Sequence, residues 1–595
     1  MSEKGYHEEE TLGKVYDSKL MKRLLSYAAP YFAILIVSII LLFAVAGADL
    51  MRPYLVKIVI DGYINNTALA QEEKIQGIIS LAVVFLVIST AGFILNYVQV
   101  FILTRTGQKI VFNIRQQIFS HIEKLPLSYF DKNPVGRLVT RVTNDTETLN
   151  EMYTSVMVNL FKDLLLVAGS IVGMFILDFR LGVITMTVFP LIIGVTLIFR
   201  IKARDAYRQV RVRLARLNAV LSENISGMKI IHIFQRQHEK LEQFKKINHD
   251  YYRAGMKEVT VYGVFRPAIE MIASLGVTLI LWFGGMDIIE GTMEFGVLYA
   301  FINYLYQMFQ PINDLSEKYN ILQSAMASSE RIFQILDEKA EVNQPDRILK
   351  AETLKGKIEF KNVWFAYNDD EWVLRDVCFT IEAGQTVAFV GATGAGKTSI
   401  INLINRFYEI QKGQITIDNM DISKMEKTVL RRNIAVVLQD VFLFSGDIQS
   451  NIRLNNSAIT EEQVKRIAEY VNASQFIEKL PGKYLHEVKE RGVTLSAGQR
   501  QLLAFARALV FDPPILVLDE ATANIDTETE LLIQDALKKL TKDRTTIVIA
   551  HRLSTIQHAD KIIVLHHGRI REIGNHQELL NQKGMYYDLY RLQMS

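Results

Sequence analysis

Apolar residues are unevenly spread along this chain. Six long apolar stretches, near Tyr31 to Leu55, Ile75 to Leu103, Val156 to Leu177, Leu181 to Phe199, Val261 to Ile289 and Phe295 to Phe309, all precede residue 320. Crossing a hydrocarbon core of about 30 Å takes roughly 20 helical residues, so most of these stretches suffice, and the last does so only if it extends towards Leu315. The pattern predicts six transmembrane spans. Basic residues orient them. The long segment after the second span carries Arg105, Lys109, Arg115, Lys124, Lys132, Arg137 and Arg141, and the one after the fourth is dense in Arg and Lys from Arg200 to Lys257. The opposite loops, Asp61 to Lys74, Asp178 to Arg180 and Glu290 to Glu294, are short and nearly free of them, which places the N-terminus and both long segments in the cytoplasm. Apolar periodicity within the basic segments predicts spanning helices that continue past the membrane.

Composition changes this picture little. A positive mean hydropathy over 595 residues excludes an ordinary soluble enzyme. The start, MSEKGYHEEE, has neither a cleavable signal pattern nor the Arg-rich character of a transit peptide. Lys19 to Tyr31 alternates basic and apolar residues at helical spacing, as an interfacial helix does. The single cysteine, Cys378, excludes an intrachain disulfide, and its setting in VCFTI predicts a buried strand position. The net charge of +3 points away from nucleic acid. A linker is expected over 326–355, where the charged Leu336 to Lys357 stretch contains Pro345.

Candidate chemistry lies beyond the linker. Thr386 to Val390 predicts a buried strand, GATGAGKT (391 to 398) a phosphate-binding loop, and Ser399 to Phe407 a helix. Gly391, Gly394 and Gly396, interleaved with Thr393 and Ala395, let successive N–H groups face a phosphate. Lys397 supplies a charge to the β/γ-phosphates and the Thr398 hydroxyl a ligand to Mg²⁺. A second apolar run, Ile515 to Leu518, ends in two acids, and a buried parallel strand delivers its last residues to the ligand edge of a sheet. Asp519 is thereby placed to orient the metal shell and Glu520 to polarise water.

LSAGQRQ (495 to 501) lies between this loop and DEATANID (519 to 526). With these motifs the segment from 356 to about 580 resembles the nucleotide-binding domain of ABC transporters over that domain's whole length. The resemblance implies ATP and Mg²⁺ as cofactors and assigns further roles. Tyr367, in VWFAY, would stack on adenine, with Ser399 completing the loop. Gln439, in VLQD, would link magnesium to the membrane domain. Ala523 to Asp526 match the loop that communicates across a dimer, and His551, in IAHRLS, the switch histidine at the γ-phosphate. Glu490-Arg491-Gly492 matches a segment of exporters that touches the membrane domain. LPLSYFDKNPVGRLVTRVTND (125 to 145) and ENISGMKIIHIFQRQ (223 to 237) resemble the two coupling regions of six-helix exporters. The implied organisation is multidomain: a tail over 1–17, an all-α polytopic membrane domain over 18–325, the linker, and an α/β P-loop NTPase cassette over 356–595.

The chain departs from the family at one point. The usual signature is LSGGQ, whereas Ser496, Ala497, Gly498 and Gln499 place a methyl group at the first glycine. In ABC dimers this segment closes on ATP held by the partner, so the methyl weakens closure by crowding or by restricting φ/ψ. An intact catalytic set beside an altered signature resembles heterodimeric bacterial exporters, whose other chain has LSGGQ and lacks the catalytic glutamate. The resemblance implies alternating access in a bacterial cytoplasmic membrane, among its lipids, with an amphipathic, often cationic, small molecule as substrate. A homodimeric lipid or peptide exporter and an ATP-gated channel are the alternatives on this scaffold. Charges within or beside spans are candidate cavity residues: Asp49, Asp163, Arg266 and Glu270, with Lys162 beside Asp163. Internal salt bridges or positions at the water interface would account for them equally.

Overall fold

The computed structural model describes residues 17–341, 354–368, 371–519, 527–549 and 556–594, at the backbone level only for 310, 312–317, 527, 528, 593 and 594. It divides into two compact units, one of Met1–Glu123 with Val135–Glu338 and one of Lys124–Pro134 with Lys339–Ser595.

The first unit is helical. After the short helix Ser18–Ala28 come Phe32–Val59, Gln71–Ile122, Asn159–Leu177, Phe189–Ser226, Gln237–Leu279 and Phe295–Asp337. The 52 residues of Gln71–Ile122 run about 78 Å at 1.5 Å per residue, more than twice the hydrocarbon thickness, so helices do continue past their apolar stretches. Leu86, Val87 and Phe93 on this helix are exposed, forming an outward apolar surface suited to lipid. Among the described residues five helices are long and apolar enough to cross a membrane. The helix of the sixth predicted span, Phe295–Asp337, has the length, at 43 residues, but not the apolar density, because Asn303, Gln307 and Gln310 interrupt it. Its apolar residues serve helix packing. Phe301, Leu305 and Met308 are buried against Met174, Val188, Ile192 and Ile280 from three other helices.

Polar contacts fix this helix at both ends. At its start, Asp61 accepts the Gly296 N–H at 2.6 Å and Lys57 pairs with Glu294 at 2.8 Å. Near its end, the buried Asp145 accepts from Ser328 at 2.8 Å and Arg331 Nε at 3.0 Å, a charge-assisted fork. Arg23, on the expected interfacial helix, pairs with Asp337 at 2.7 Å and lies 4.1 Å over the Phe333 ring. The expected linker thus begins inside a helix that continues to Asp337.

The second unit is built on two sheets. Strands β1 (Ile358–Ala366), β2 (Trp372–Ile381) and β4 (Lys412–Ile417) form an antiparallel layer ordered β2-β1-β4, with Met420–Asp421 at its edge. Strands β3 (Thr386–Val390), β5 (Ile434–Val437), β6 (Ile515–Asp519), β7 (Thr545–Ile549), β8 (Lys561–His566) and β9 (Arg569–Gly574) form the main sheet, ordered β9-β8-β3-β7-β6-β5 and parallel except for β9. Alternate residues serve two cores. Val387, Phe389, Ile515, Val517, Ile547 and Ile549 pack on one face, and Ala388, Val390, Leu516, Leu518 and Val548 on the other. Continuous apolar runs are what a sheet covered on both faces requires. The same period corrects the expectation for Cys378: it is on β2 as predicted but exposed, because Val377 and Phe379 occupy the inward positions.

Lys124–Pro134, which contains the short helix Leu127–Lys132, groups with this second unit although it interrupts the first in sequence. Two contacts hold it there. The Glu341 N–H donates to the Lys124 carbonyl at 2.7 Å, and the Tyr408 hydroxyl donates to Asp131. Glu341 itself bonds Lys427 at 2.5 Å and Arg431 at 3.1 Å. Burial pushes its carboxyl up, but these two cations outweigh burial and hold it below the ordinary value of 4.5. A lowered carboxyl contributes stability that is complete above the unfolded-state pKa and lost as pH falls through the folded one. Glu341→Gln therefore lowers the unfolding temperature of the cassette at pH 7, and its deficit against the unsubstituted chain shrinks towards pH 4, as differential scanning fluorimetry across that range will register.

Candidate nucleotide site and membrane charges

The chain leaves β3 at Val390 and turns into the helix Lys397–Ile404 through a loop that only glycine permits at two points. Gly391 (φ +152°) lies where a Cβ would come within 2.2 Å of the Leu565 carbonyl oxygen, and Gly396 (φ +104°) where one would meet Leu374 Cδ2 at 2.7 Å. Thr393 and Gly394 form the exposed crest of the loop, and Ala395 is buried beneath it. Lys397 is only 7% exposed and its ammonium donates to the carbonyls of Gly391 at 2.7 Å and Ala392 at 3.2 Å. A tight glycine-dependent loop with an open crest, a buried cation beneath and a helix N-terminus following it fits the phosphates of a nucleoside triphosphate.

Parallel register gathers the other groups. Ile549 pairs with both Phe389 and Asp519, and Val437 with Leu518, so β3, β5, β6 and β7 end at one edge of the sheet. Asp519, half-buried, and Gln439, exposed two residues past β5, belong to this edge, as does the exposed Thr398 in the first turn of the loop's helix. Glu520, Asp526 and His551 lie outside the described residues. Tyr367 is 42% exposed, and its hydroxyl is 3.1 Å from the buried Ser399 Oγ and 3.1 Å from Asn402 Nδ2. Its ring stands edge-on to Tyr408 at 5.0 Å, and burial and Asp131 together raise the Tyr408 phenol. Sequence reading missed Tyr408, whose only signal is an aromatic four residues past the loop's helix.

Ser496 caps the helix Ala497–Leu509. Its hydroxyl accepts the Gln499 N–H at 3.2 Å while the Gln499 side chain accepts the Ser496 N–H at 2.9 Å, a reciprocal capping box. Gly498 is buried and Ala497 exposed. Ala497 opens the helix and is not among the residues with positive φ. Restricted φ/ψ freedom is therefore no obstacle to alanine here, which leaves crowding as the remaining alternative.

Comparison with known proteins agrees with this geometry. The description "ABC transporter transmembrane region" matches residues 35–312 and "ABC transporter" residues 374–523. An uncharacterized ABC transporter ATP-binding protein of Bacillus subtilis, YknV, is 39% identical across 99% of this chain and 97% of its own length. The chain belongs to the ABC transporter family. Also similar is the probable multidrug resistance ABC transporter ATP-binding/permease protein YheH of the same species, at 40% identity over 88% of this chain and 78% of that protein. The solved structure of a bacterial Atm1-family ABC exporter with ATP bound matches with a TM-score of 0.78 at 26% identity, covering 95% of this chain and 99% of the other. One membrane region fused to one ATP-binding domain is the half-transporter architecture. This multi-pass membrane protein is an ATPase coupled to transport, and the transport is export.

The transporter's intramembrane charges fall into three groups. Asp49 pairs with Arg52 at 3.1 Å and Lys162 at 3.8 Å. Asp163 is engaged by Lys318, both largely buried. Arg266 and Glu270 face each other loosely at 3.9 Å on one helix, both exposed. Arg52 and Lys318 were missed by sequence reading, although each is a charge in or just beyond an apolar stretch. Of the aromatics on these helices, Tyr304 and Phe309 are buried, whereas Tyr97 and Tyr306 are exposed. Two substitutions test the phosphate cradle. Lys397→Ala weakens ATP binding at least tenfold in a fluorescent-nucleotide titration while the fold survives. Gly391→Ala, whose methyl meets backbone rather than a movable side chain, lowers thermal stability as well.

Proposed function

We propose that this transporter exports amphipathic small molecules across the cytoplasmic membrane by alternating access, as one half of a heterodimer. The observation that carries the heterodimer is Ala497. It projects an exposed methyl from the N-terminus of the signature helix while the chain's own phosphate loop is intact. The partner is then a half-transporter with LSGGQ and no catalytic glutamate. Closure of the two cassettes on nucleotide turns the membrane cavity from inward to outward facing, and hydrolysis resets it. Similarity to a multidrug-type relative supports the substrate class.

In this reading Gly391 to Gly396 and Ser399 form the phosphate cradle, and Lys397 holds the β/γ-phosphates. Thr398, Gln439 and Asp519 would hold Mg²⁺, which offsets the charge that develops on the phosphates. Tyr367 offers its exposed ring to the base. Glu520 orients or deprotonates the attacking water, His551 contacts the γ-phosphate, and Asp526 lies on the loop that faces the partner. A homodimer is the second reading, favoured by the ordinary helical backbone of Ala497, which costs the chain no strain.

ATPase activity and oligomeric mass of the purified chain in lipid nanodiscs separate the two. The heterodimer reading expects little turnover alone and rescue by a co-purifying half-transporter; an active, substrate-stimulated homodimer sinks it. Glu520→Gln is expected to keep ATP affinity and lower turnover by about 10²- to 10⁴-fold, the usual loss for a general base, and turnover near the unsubstituted rate removes Glu520 from that role.

A further inference from the structure

We infer that the membrane unit carries a cationic seat, built by Arg52 and Lys162, that takes the anionic head group of an amphiphilic substrate: a phosphate, sulfonate or carboxylate. The inference rests on the export reading and narrows it. The family expectation was an amphiphile that is often cationic; the charges of this chain favour the opposite sign.

The seat is formed where Phe32–Val59, Asn159–Leu177 and Phe295–Asp337 pack together. Asp49 is shared by Arg52 at 3.1 Å and Lys162 at 3.8 Å. Among the described residues it is the only carboxylate paired with either cation, since Asp163 is engaged by Lys318. One negative charge therefore serves two positive ones. The pairing is loose as well as incomplete. Arg52 Nε is buried without a hydrogen-bond partner, and so is Gln307 Oε1, whose Nε2 holds the Asp49 carbonyl at 3.1 Å. Gly92 gives the guanidinium room, because a Cβ there would lie 3.3 Å from Arg52 Nη2.

Depth makes the imbalance informative. Gln307 is 12 residues into the helix that starts at Phe295, and Asp49 is 12 residues before Asp61, so both lie about 18 Å from the outer ends of their helices at 1.5 Å per residue. That is near the middle of a bilayer, where an uncompensated cation is costly and marks a substrate or ion path. The three charged side chains are neither sealed nor free, with 24–37% of each exposed, so a ligand can reach them. A guanidinium presents a planar fork of donors that matches phosphate, sulfonate or carboxylate oxygens, and the Lys162 ammonium adds a point charge. A cationic head group would have to displace both from Asp49 and would leave the excess positive charge in place.

Three amphiphiles with one tail and different heads test this on the full-length chain in nanodiscs, together with its partner if one co-purifies: dodecyl phosphate, dodecyltrimethylammonium and dodecyl maltoside. The expected result is that dodecyl phosphate stimulates ATPase activity at a concentration at least tenfold below the cationic analogue. Arg52→Gln should erase that preference and leave the maltoside response within about twofold. Preference for the cationic analogue, or a preference for phosphate that survives both Arg52→Gln and Lys162→Gln, overturns the seat. If Arg52→Gln abolishes every response, Lys162→Gln carries the decision. Uptake by ATP-driven inverted vesicles then separates the claims. Accumulation of anionic and cationic dyes alike rejects the seat and leaves export standing, whereas accumulation of neither dye together with no translocation of fluorescent phosphatidylglycerol rejects export and the seat together. Translocation of fluorescent phosphatidylglycerol without uptake of a water-soluble anionic dye identifies a lipid as the source of the head group, and the reverse result a soluble amphiphile; either one supports the seat.

Discussion

Parallel pairing in the six-stranded sheet is the constraint on which the ATPase half of this protein depends. Because β3, β5, β6 and β7 run the same way and stay in register, their carboxyl ends emerge at one edge. A phosphate loop, a glutamine and an aspartate that are far apart in sequence are thereby brought to a common edge. The strands can run parallel because both faces of the sheet are covered by apolar cores, and the crossovers that parallel pairing requires supply that cover. Loss of either core would remove the reason for the register, and with it the site.

The membrane half obeys a different rule. Lipid demands apolar surface only where a helix meets it, and the last long helix meets mainly its neighbours, so it can keep Asn303 and Gln307 in its first half. It is held at its start by Asp61 and Glu294 and near its end by Asp145 and Asp337. A helix held near both ends is suited to act as one element, the property a transporter needs in order to carry a displacement at the membrane surface to the centre of the bilayer. The charges at mid-depth lie on two helices that pack against it, and its own Gln307 holds the Asp49 carbonyl, so rigid motion of any of the three would change their spacing.

The segment Lys124–Pro134 shows how the two units share one chain. It is encoded between membrane helices but folds with the cassette, through Tyr408 to Asp131 and through Glu341 to the Lys124 carbonyl. Tyr408 also stands against Tyr367, whose hydroxyl meets Ser399 on the helix that follows the phosphate loop. A continuous set of contacts therefore joins the nucleotide side of the cassette to a segment borrowed from the membrane half.

Much of this was legible in the sequence, because it depends on local rules. Five of the six predicted spans, the phosphate loop and the strand before it follow from periodicity and from glycine spacing, neither of which needs a distant partner. What the sequence could not decide was pairing across space. It marked Asp49 and Asp163 as charges in or beside spans but could not give Asp49 its partners Arg52 and Lys162, or Asp163 its partner Lys318. It placed Cys378 on a strand but on the wrong face, since a short apolar run reads alike for a strand covered on one side or on both. It also left crowding and restricted backbone as alternatives at the signature alanine, and helical geometry at Ala497 removes the second. The sequence by itself determined which segments are helices, strands and phosphate loop, because those depend on neighbours along the chain. Only the tertiary structure decided which charges meet and which faces are buried, because those depend on the packing of residues hundreds of positions apart.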